Sequence, residues 1–284
     1  MTGASSAGPD WLRDISTLPE LKIPGDIPAE RMPSLLANWY LGPRARRWLS
    51  RRRFAAVTGS LPPGSGDRAL DIGCGWGYNL FLLERRGYEA YGIDIVPDDF
   101  EAATMIARAN GLEARLCRAD MSSLPFDDGC FSAVTAVETI EHVYHPDRDE
   151  ALAEVARVLR PGGVLALSTP NYRSLVETGK RVAVKMPALR RLLPGMCYPV
   201  GDIPRSDYHP YSYHRPWRTG EAVSALERHG FEVDMKERII FVLKNVPDGL
   251  FPSARGAEAL MERLPGVGAL ASTLVLRAVK RRSQ

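Results

Sequence analysis

Few cysteines, no long apolar run and little net charge each exclude a class of protein for this 284-residue sequence. Cys74, Cys117, Cys130 and Cys197 form no C-x-x-C pair, which disfavours a disulfide or zinc scaffold and predicts a reducing, cytoplasmic location. No uncharged apolar stretch approaches the roughly 20 residues that span a bilayer. The N-terminus also lacks the pattern of a secretory signal. The net charge of +3 is too small to predict a strong polyanion-binding field over the whole molecule.

Positive charge is instead concentrated in one N-terminal segment, RARRWLSRRRF at residues 44–54. Residues 1 to about 30 are rich in proline, glycine and serine, which predicts irregular backbone. The pattern of residues 33–57 predicts helix, and Gly42-Pro43 should break it into two helices. We therefore expect residues 1–58 to form a basic, partly helical arm and residues 59–284 to form the main domain.

Strand and helix patterns alternate after the arm, which predicts βαβ units and a mostly parallel sheet. The ligand crevice of such a sheet lies at the carboxyl ends of its strands. A final pair of strands predicts an antiparallel hairpin at one edge. Predicted strands occupy residues 68–72, 89–95, 113–120, 131–138, 164–170, 231–243 and 271–279. Predicted helices occupy residues 77–86, 98–110, 148–159, 219–229 and 257–264.

An insertion of about residues 171–214 interrupts this alternation and is too long for an ordinary loop, so we predict a cap over the site. Its residues 176–196 have a pattern typical of a basic amphipathic helix. A peripheral contact with a lipid surface is one alternative for such a helix, and ordinary core packing is another. As a cap over a substrate, this surface would suit an apolar or aromatic molecule. The side chains predicted to face inward are Val182, Val184, Met186, Leu189, Leu192 and Leu193.

Three glycines alternate with other residues in LDIGCGWGYN (70–79), between a predicted strand and a predicted helix. Glycine suits positive φ or close contact with a ligand, and this layout binds the polar part of a nucleotide-like cofactor. Asp94 ends the second strand about 20 residues later, where a carboxylate accepts hydrogen bonds from ribose. Asp120 ends the third strand, where an adenine amine can donate. Asp71 before the turn and Trp76 within it depart from G-x-G-x-x-G and favour a cationic ligand over a pyrophosphate.

Four ordered motifs, LDIGCGWG, YGIDI, RADMSSLPF and VLRPGGVLALSTPN, resemble the class I, Rossmann-like methyltransferases that use S-adenosylmethionine. The resemblance covers about residues 67–243 and implies an α/β fold with a seven-stranded sheet. It also implies that the glycine turn contacts the methionine part of the cofactor, while the two strand-end acids hold the ribose and the adenine. The cofactor contacts that it implies are Asp71, Gly73, Gly75, Gly77, Asp94, Ile95, Asp120, Met121 and Val137.

The segment after the fourth strand, VETIEHVYHP, lacks the D/N-P-P-Y/F/W motif of enzymes that methylate base amino groups and the Pro-Cys pair of cytosine C5 enzymes. Its E-x-x-E-H spacing is similar to the ubiquinone-pathway O-methyltransferases. It is also similar to the small-RNA terminal 2′-O-methyltransferases, which add a later histidine to bind magnesium. His214 is the best match to that histidine and His209 is the reserve, although the family's tryptophan lies one residue further on. The implied ligands of a Mg²⁺-type ion are Glu138, Glu141, His142 and His214.

A metal-free alternative makes His142, His145 or His214 a base, and a third interpretation makes them structural. We predict methylation, from S-adenosylmethionine, of a hydroxyl on a small, moderately apolar acceptor, helped by a histidine base or by a Mg²⁺-type ion. One rival function is methylation of an RNA ribose 2′-hydroxyl. The basic arm favours it, while the small net charge and the lack of an added RNA domain weigh against it. The other rival is cofactor binding without catalysis.

Overall fold

Seven strands form one sheet in the computed structural model, which describes residues 21–25, 27, 42–186, 203–209, 213–241, 246–262, 264 and 266–282. Their order across the sheet is 3-2-1-4-5-7-6; the first five pair in parallel, and the seventh runs antiparallel between the fifth and the sixth. The predicted α/β sheet and its antiparallel edge pair are therefore confirmed. The strands are β1 (Arg68–Ile72), β2 (Glu89–Asp94), β3 (Arg115–Arg118), β4 (Phe131–Val137), β5 (Leu159–Pro170), β6 (Phe231–Ile239) and β7 (Thr273–Lys280).

Helices lie in the connections between these strands, and most of their bounds agree with the predicted ones to within two residues. Two helices are exceptions: the cap helix ends at Lys185 rather than at residue 196, and the last helix begins at Phe251 rather than at residue 257. Pro252 explains the early start, since proline suits the first turn of a helix. None of the described helices has the length and apolar character needed to cross a membrane. They are α1 (Arg44–Ser60), α2 (Tyr78–Arg85), α3 (Phe100–Ala109), α4 (Arg148–Val158), α5 (Leu175–Lys185), α6 (Thr219–Arg228) and α7 (Phe251–Met261).

Helix α1, which contains most of the described residues of the predicted arm, packs against β4, β5 and β7. Its buried side chains include Trp48, Leu49 and Val57, which belong to the same hydrophobic cluster as residues of the sheet. The helix continues to Ser60, past the boundary predicted at residue 58. The division of the chain into arm and domain stays a prediction, and the helix expected before Gly42 lies outside the described residues.

Helix α5 opens the predicted cap, but its apolar face differs from the expected one. Val182 and Met186 are 51% and 45% exposed, so the prediction that they face inward is wrong. The reason is that the buried side of the helix carries Ala183, which is 2% exposed. The side chain of Val184 and residues 187–196, with the three leucines of the same prediction, lie outside the described part of the chain.

Candidate active site

A cavity of about 340 Å³ lies at the carboxyl ends of β1 to β4, where the strand order reverses. Small-molecule and cofactor sites span about 300–1,000 Å³, and this crevice is where open α/β sheets bind ligands. Asp71 and Gly77 lie next to the wall without lining it. The other seven predicted cofactor residues line the cavity: Gly73, Gly75, Asp94, Ile95, Asp120, Met121 and Val137.

The glycine turn between β1 and α2 needs glycine for two different reasons. Gly73, Gly75 and Gly77 all have positive φ, at +72°, +48° and +86°, a region that side chains disfavour. Gly73 is also crowded, because a Cβ there would lie 2.5 Å from Thr139 Oγ1. Its N–H donates to the Ile93 carbonyl at 2.8 Å, which ties the turn to the end of β2. The turn therefore presents bare main chain to the cavity.

Asp94 joins that turn to the end of β2. Its Oδ2 accepts a hydrogen bond from the Gly75 N–H at 3.0 Å, and its Oδ1 accepts one from the Val96 N–H at 3.0 Å. Burial raises the pKa of Asp94, against the opposing effect of these hydrogen bonds. A carboxylate offers about four acceptor positions, so capacity remains for the two hydroxyls of a ribose.

Asp71 lies beneath the turn in a buried polar network rather than in the cavity wall. Its Oδ1 accepts hydrogen bonds from Asn79 Nδ2 at 2.8 Å and Thr135 Oγ1 at 2.7 Å. Thr58 of α1 extends the network by donating to Asn79 Oδ1 at 2.6 Å. Burial raises the pKa of Asp71 to about 7, although both hydrogen bonds lower it. The carboxyl group therefore holds strands and helices together, and its position does not support the predicted direct contact with a cationic ligand.

The E-x-x-E-H residues do not all point the same way. Glu138 ends β4 with φ +54°, and its carboxylate lies 3.2 Å from Arg53 Nη2 and accepts a hydrogen bond from Ser168 Oγ at 3.0 Å. Glu141 and His142 follow in a separate 3-10 turn. The positive φ turns Glu138 toward α1, so it lies apart from the ligand group in which the sequence placed it.

Glu141, His142 and His214 form a compact group whose potential ligand atoms all lie within 4.8 Å of one another. Glu141 is 1% exposed and accepts a hydrogen bond from Thr169 Oγ1 at 3.1 Å. Burial, and then the nearby charge of Glu138, raise the pKa of Glu141 well above its usual value. Of the three residues in the group, His142 lines the cavity.

A hydrogen bond orients His142, and a carboxylate from the cap helix lies close to His214. His142 Nδ1 lies 2.7 Å from the Tyr213 carbonyl oxygen, which can only accept, so Nδ1 carries the hydrogen and a neutral ring has its lone pair on Nε2. His214 Nε2 lies 3.5 Å from Glu177 Oε1 on α5. The cap helix is thereby connected to the group.

The two other candidate histidines lie outside this group and do not line the cavity. The backbone N–H of His145 donates to the Tyr213 hydroxyl at 3.2 Å. His209 is exposed at the end of the described segment 203–209. The structure therefore does not support the prediction of a catalytic His145 or of His209 as the reserve ligand.

Two parts of the wall come from outside the predicted cofactor and metal-ligand residues. Helix α1 contributes Ser50, Arg53 and Phe54, although no spacing in its arginine-rich sequence distinguishes these positions. The returning cap segment contributes Tyr208, whose hydroxyl donates to the His142 carbonyl at 3.0 Å and whose ring lies 5.3 Å from that of Tyr144. Burial raises the pKa of Tyr208 to about 12. The available sequence signal for Tyr208 is that it begins a series of aromatic residues in the predicted cap and just after it: Tyr208, Tyr211, Tyr213 and Trp217.

Residues 70–167 match the family model described as "Methyltransferase domain". The methyltransferase GfsG of Streptomyces halstedii is 39% identical over 120 residues, which are 41% of this chain and 42% of that protein. A ubiquinone biosynthesis O-methyltransferase of Xanthomonas oryzae pv. oryzae is 37% identical over 113 residues, 38% of this chain and 44% of that protein. This chain thus spans less than half the length of these relatives.

The fold is also found among solved structures. The structure of the [4+2]-cyclase SpnF superposes with a TM-score of 0.56 at 21% identity, covering 83% of each chain. At that identity the likeness concerns the fold alone. Together with the glycine turn, the strand-end acids and the sheet order, the family match over residues 70–167 supports a class I, S-adenosylmethionine-dependent methyltransferase domain.

Proposed function

We propose that this protein transfers the methyl group of S-adenosylmethionine to a hydroxyl oxygen of a small, moderately apolar molecule. The reaction converts R–OH and S-adenosylmethionine to R–OCH₃, S-adenosylhomocysteine and a proton. The observation that carries the proposal is one continuous cavity, lined both by seven of the predicted cofactor residues and by the aromatic wall of Phe54, Trp76 and Tyr78. The O-methyltransferase name of the Xanthomonas relative supports oxygen as the acceptor atom.

Alignment is the main requirement of this reaction, because the sulfonium donor is already reactive. A hydroxyl acceptor must also lose its proton as the new bond forms. His142 suits the role of base, since it lines the cavity and its Nδ1–H is committed to the Tyr213 carbonyl. We therefore assign His142 Nε2 as the atom that accepts the proton of the acceptor hydroxyl.

A divalent cation is the second candidate for assistance, held by Glu141, His142 and His214. The buried carboxyl group of Glu141 fits a cation, because a bound positive charge would offset the burial of its negative charge. One carboxylate and two imidazoles suit Mn²⁺, Fe²⁺ or Zn²⁺ better than Mg²⁺, which prefers oxygen ligands. When bound, such an ion would make a coordinated hydroxyl more acidic.

Replacing His142 by glutamine should lower turnover about 100-fold or more, the usual contribution of a positioned base. Affinity for S-adenosylhomocysteine should stay within about twofold. Turnover is measured as S-adenosylhomocysteine release on a panel of phenols. Wild-type turnover that survives EDTA, together with an active Glu141→Gln variant, supports the base and rejects the metal. Loss in EDTA that Mn²⁺ restores supports the metal instead.

Replacing Asp94 by alanine should weaken S-adenosylhomocysteine binding by about 10- to 100-fold. The ribose loses charge-assisted hydrogen bonds, which contribute about 1.5–3 kcal/mol, and the Gly75 N–H loses its partner. Isothermal titration calorimetry measures the change. Asp98→Ala is the control, because Asp98 lies in the next turn and does not line the cavity. Unchanged affinity in Asp94→Ala would contradict the assignment of Asp94.

Two alternative functions have less support. The RNA alternative depends on the basic segment, but three of its arginines contact the protein itself: Arg44 lies over the Phe251 ring, Arg52 pairs with Glu262, and Arg53 pairs with Glu138. RNA affinity that falls steeply with salt would support that function. Cofactor binding without turnover is the other alternative. Because one fold hosts many activities, turnover must be measured directly.

A further inference from the structure

Glu138 has an unusual backbone conformation for a residue with a side chain. Its φ of +54° is one of two positive values at non-glycine residues in the described part of the chain. Such a conformation costs about 1–3 kcal/mol and persists where the surroundings enforce it, often at functional sites. Ser168 of β5 fixes both ends of the residue: the Glu138 N–H donates to the Ser168 carbonyl at 3.0 Å, and Ser168 Oγ donates to Glu138 Oε1 at 3.0 Å.

Arg53 holds the other oxygen of this carboxylate. Its Nη2 lies 3.2 Å from Glu138 Oε2, and its Nε donates to Thr273 Oγ1 at 3.0 Å. The two side chains are 13% and 15% exposed, so solvent screens the ion pair only in part. The pair therefore joins α1 to the carboxyl ends of β4 and β5 with the direction of Glu138 fixed.

Glu138 and Arg53 both line the cavity, and neither belongs to the motifs predicted to hold the ribose or the adenine. We refer to this part of the wall, outside the predicted cofactor motifs, as the acceptor side. Thr139, the residue after Glu138, is in direct contact with Gly73 of the glycine turn, where the methionine part is expected. The rings of Phe54 and Tyr78, which line the same cavity, lie 5.0 Å apart.

We propose that the Glu138 carboxylate, positioned by Arg53, borders the transferred methyl group, and that this ion pair selects acceptors that are uncharged near the reacting hydroxyl. The inference rests on the proposed function. An anionic acceptor would face Glu138 while Arg53 is already paired, and a cationic acceptor would face Arg53 and the sulfonium. Like charges placed next to each other weaken binding, so a neutral acceptor on the aromatic wall is favoured.

A first test compares S-adenosylhomocysteine with sinefungin, an analogue that carries an ammonium group where the donor carries its methyl group. In calorimetric titrations, Glu138→Gln should lower the affinity of sinefungin relative to S-adenosylhomocysteine about tenfold, because the ammonium loses a facing carboxylate. Arg53→Met should raise this relative affinity, since it leaves Glu138 unpaired. Arg53→Lys keeps the charge and should behave like the wild type.

Arg52→Met is the matched control, because Arg52 belongs to the same helix but pairs with Glu262 and does not line the cavity. It should leave the relative affinity unchanged. The proposal is overturned if the relative affinity is also unchanged in Glu138→Gln and Arg53→Met, with both variants folded by circular dichroism. If Arg53→Met does not fold, the comparison of Glu138→Gln with the wild type decides. Failure of the wild type to bind either compound contradicts the proposed function instead.

A second test measures the preference between charged and uncharged acceptors, because a purely structural role of Glu138 would not change this preference. Each pair of acceptors contains an uncharged phenol and the same phenol with a carboxylate. The wild type should favour the uncharged member by about tenfold or more in kcat/KM. Glu138→Gln should shift the ratio about tenfold toward the carboxylated member, because Arg53 is then unpaired. A wild-type preference for the carboxylated member, or an unchanged ratio in the variant, overturns the proposal. If the wild type uses no phenol, the sinefungin comparison decides.

Discussion

Replacing Gly73 by alanine should reduce the affinity for S-adenosylhomocysteine at least about 100-fold, a loss of about 2.7 kcal/mol or more. A Cβ at this position would lie 2.5 Å from Thr139 Oγ1 and 2.6 Å from Thr139 Cγ2. Thr139 cannot withdraw cheaply, because its hydroxyl donates to the Ile72 carbonyl at 3.1 Å. The turn must therefore move, and the Gly75 N–H would move away from Asp94 with it.

Gly66→Ala separates this clash from backbone strain. Gly66 has a φ of +85°, similar to the +72° of Gly73, but a Cβ there would meet no atom within 4 Å. The control should lose about 1–2 kcal/mol of unfolding free energy and keep its cofactor affinity. Calorimetry measures the affinity, and urea unfolding measures the stability. If Gly73→Ala bound S-adenosylhomocysteine as tightly as the wild type does, the turn would not be packed against Thr139 as described.

Replacing Asp71 by asparagine should remove a dependence of stability on pH. Asp71 is 2% exposed, and burial raises its pKa from the usual 3.8 to about 7. Between these two pKa values, the folded state retains a proton that the unfolded state loses. The contribution of this proton to stability is therefore fully present below pH 3.8. It is lost as the pH rises through about 7. The shift is equivalent to about 4 kcal/mol of unfolding free energy.

Urea unfolding of both proteins between pH 4 and pH 8 measures this effect. The other titrating groups are common to both proteins, so the difference in unfolding free energy between variant and wild type reports on Asp71 alone. This difference should increase in favour of Asp71→Asn by up to about 4 kcal/mol between pH 4 and pH 7, then level off. A constant difference over the whole range would mean that Asn79 and Thr135 hold Asp71 in its ionised form.

The sequence was sufficient for the sheet and the cofactor wall, because both follow from local patterns and chain order. Alternating strand and helix patterns imply a parallel sheet, and the carboxyl ends of parallel strands meet at one edge. Asp94 ends β2 and Asp120 lies two residues after the end of β3, so their presence at one cavity needed no further information. The glycine turn was evident from its spacing, since alternate glycines suit neither a helix nor a strand.

The arrangement of the acceptor side could not be predicted, because it depends on contacts between distant parts of the chain. Arg53 reaches the cavity because α1 packs across the ends of β4 and β5, and nothing in the arginine-rich segment distinguishes it. The direction of Glu138 depends on the sign of one backbone angle. The E-x-x-E-H spacing alone therefore implied one group of ligands, whereas the strand end at Glu138 and the turn that contains Glu141 divide it.

Calorimetric titration of the purified protein with S-adenosylhomocysteine and, separately, with NAD⁺ tests most directly whether this cavity holds the predicted cofactor. We expect saturable binding of one S-adenosylhomocysteine per chain, weakened in Asp94→Ala, and no detectable binding of NAD⁺. Saturable binding of NAD⁺ by a protein that ignores both S-adenosylmethionine and S-adenosylhomocysteine would contradict the account.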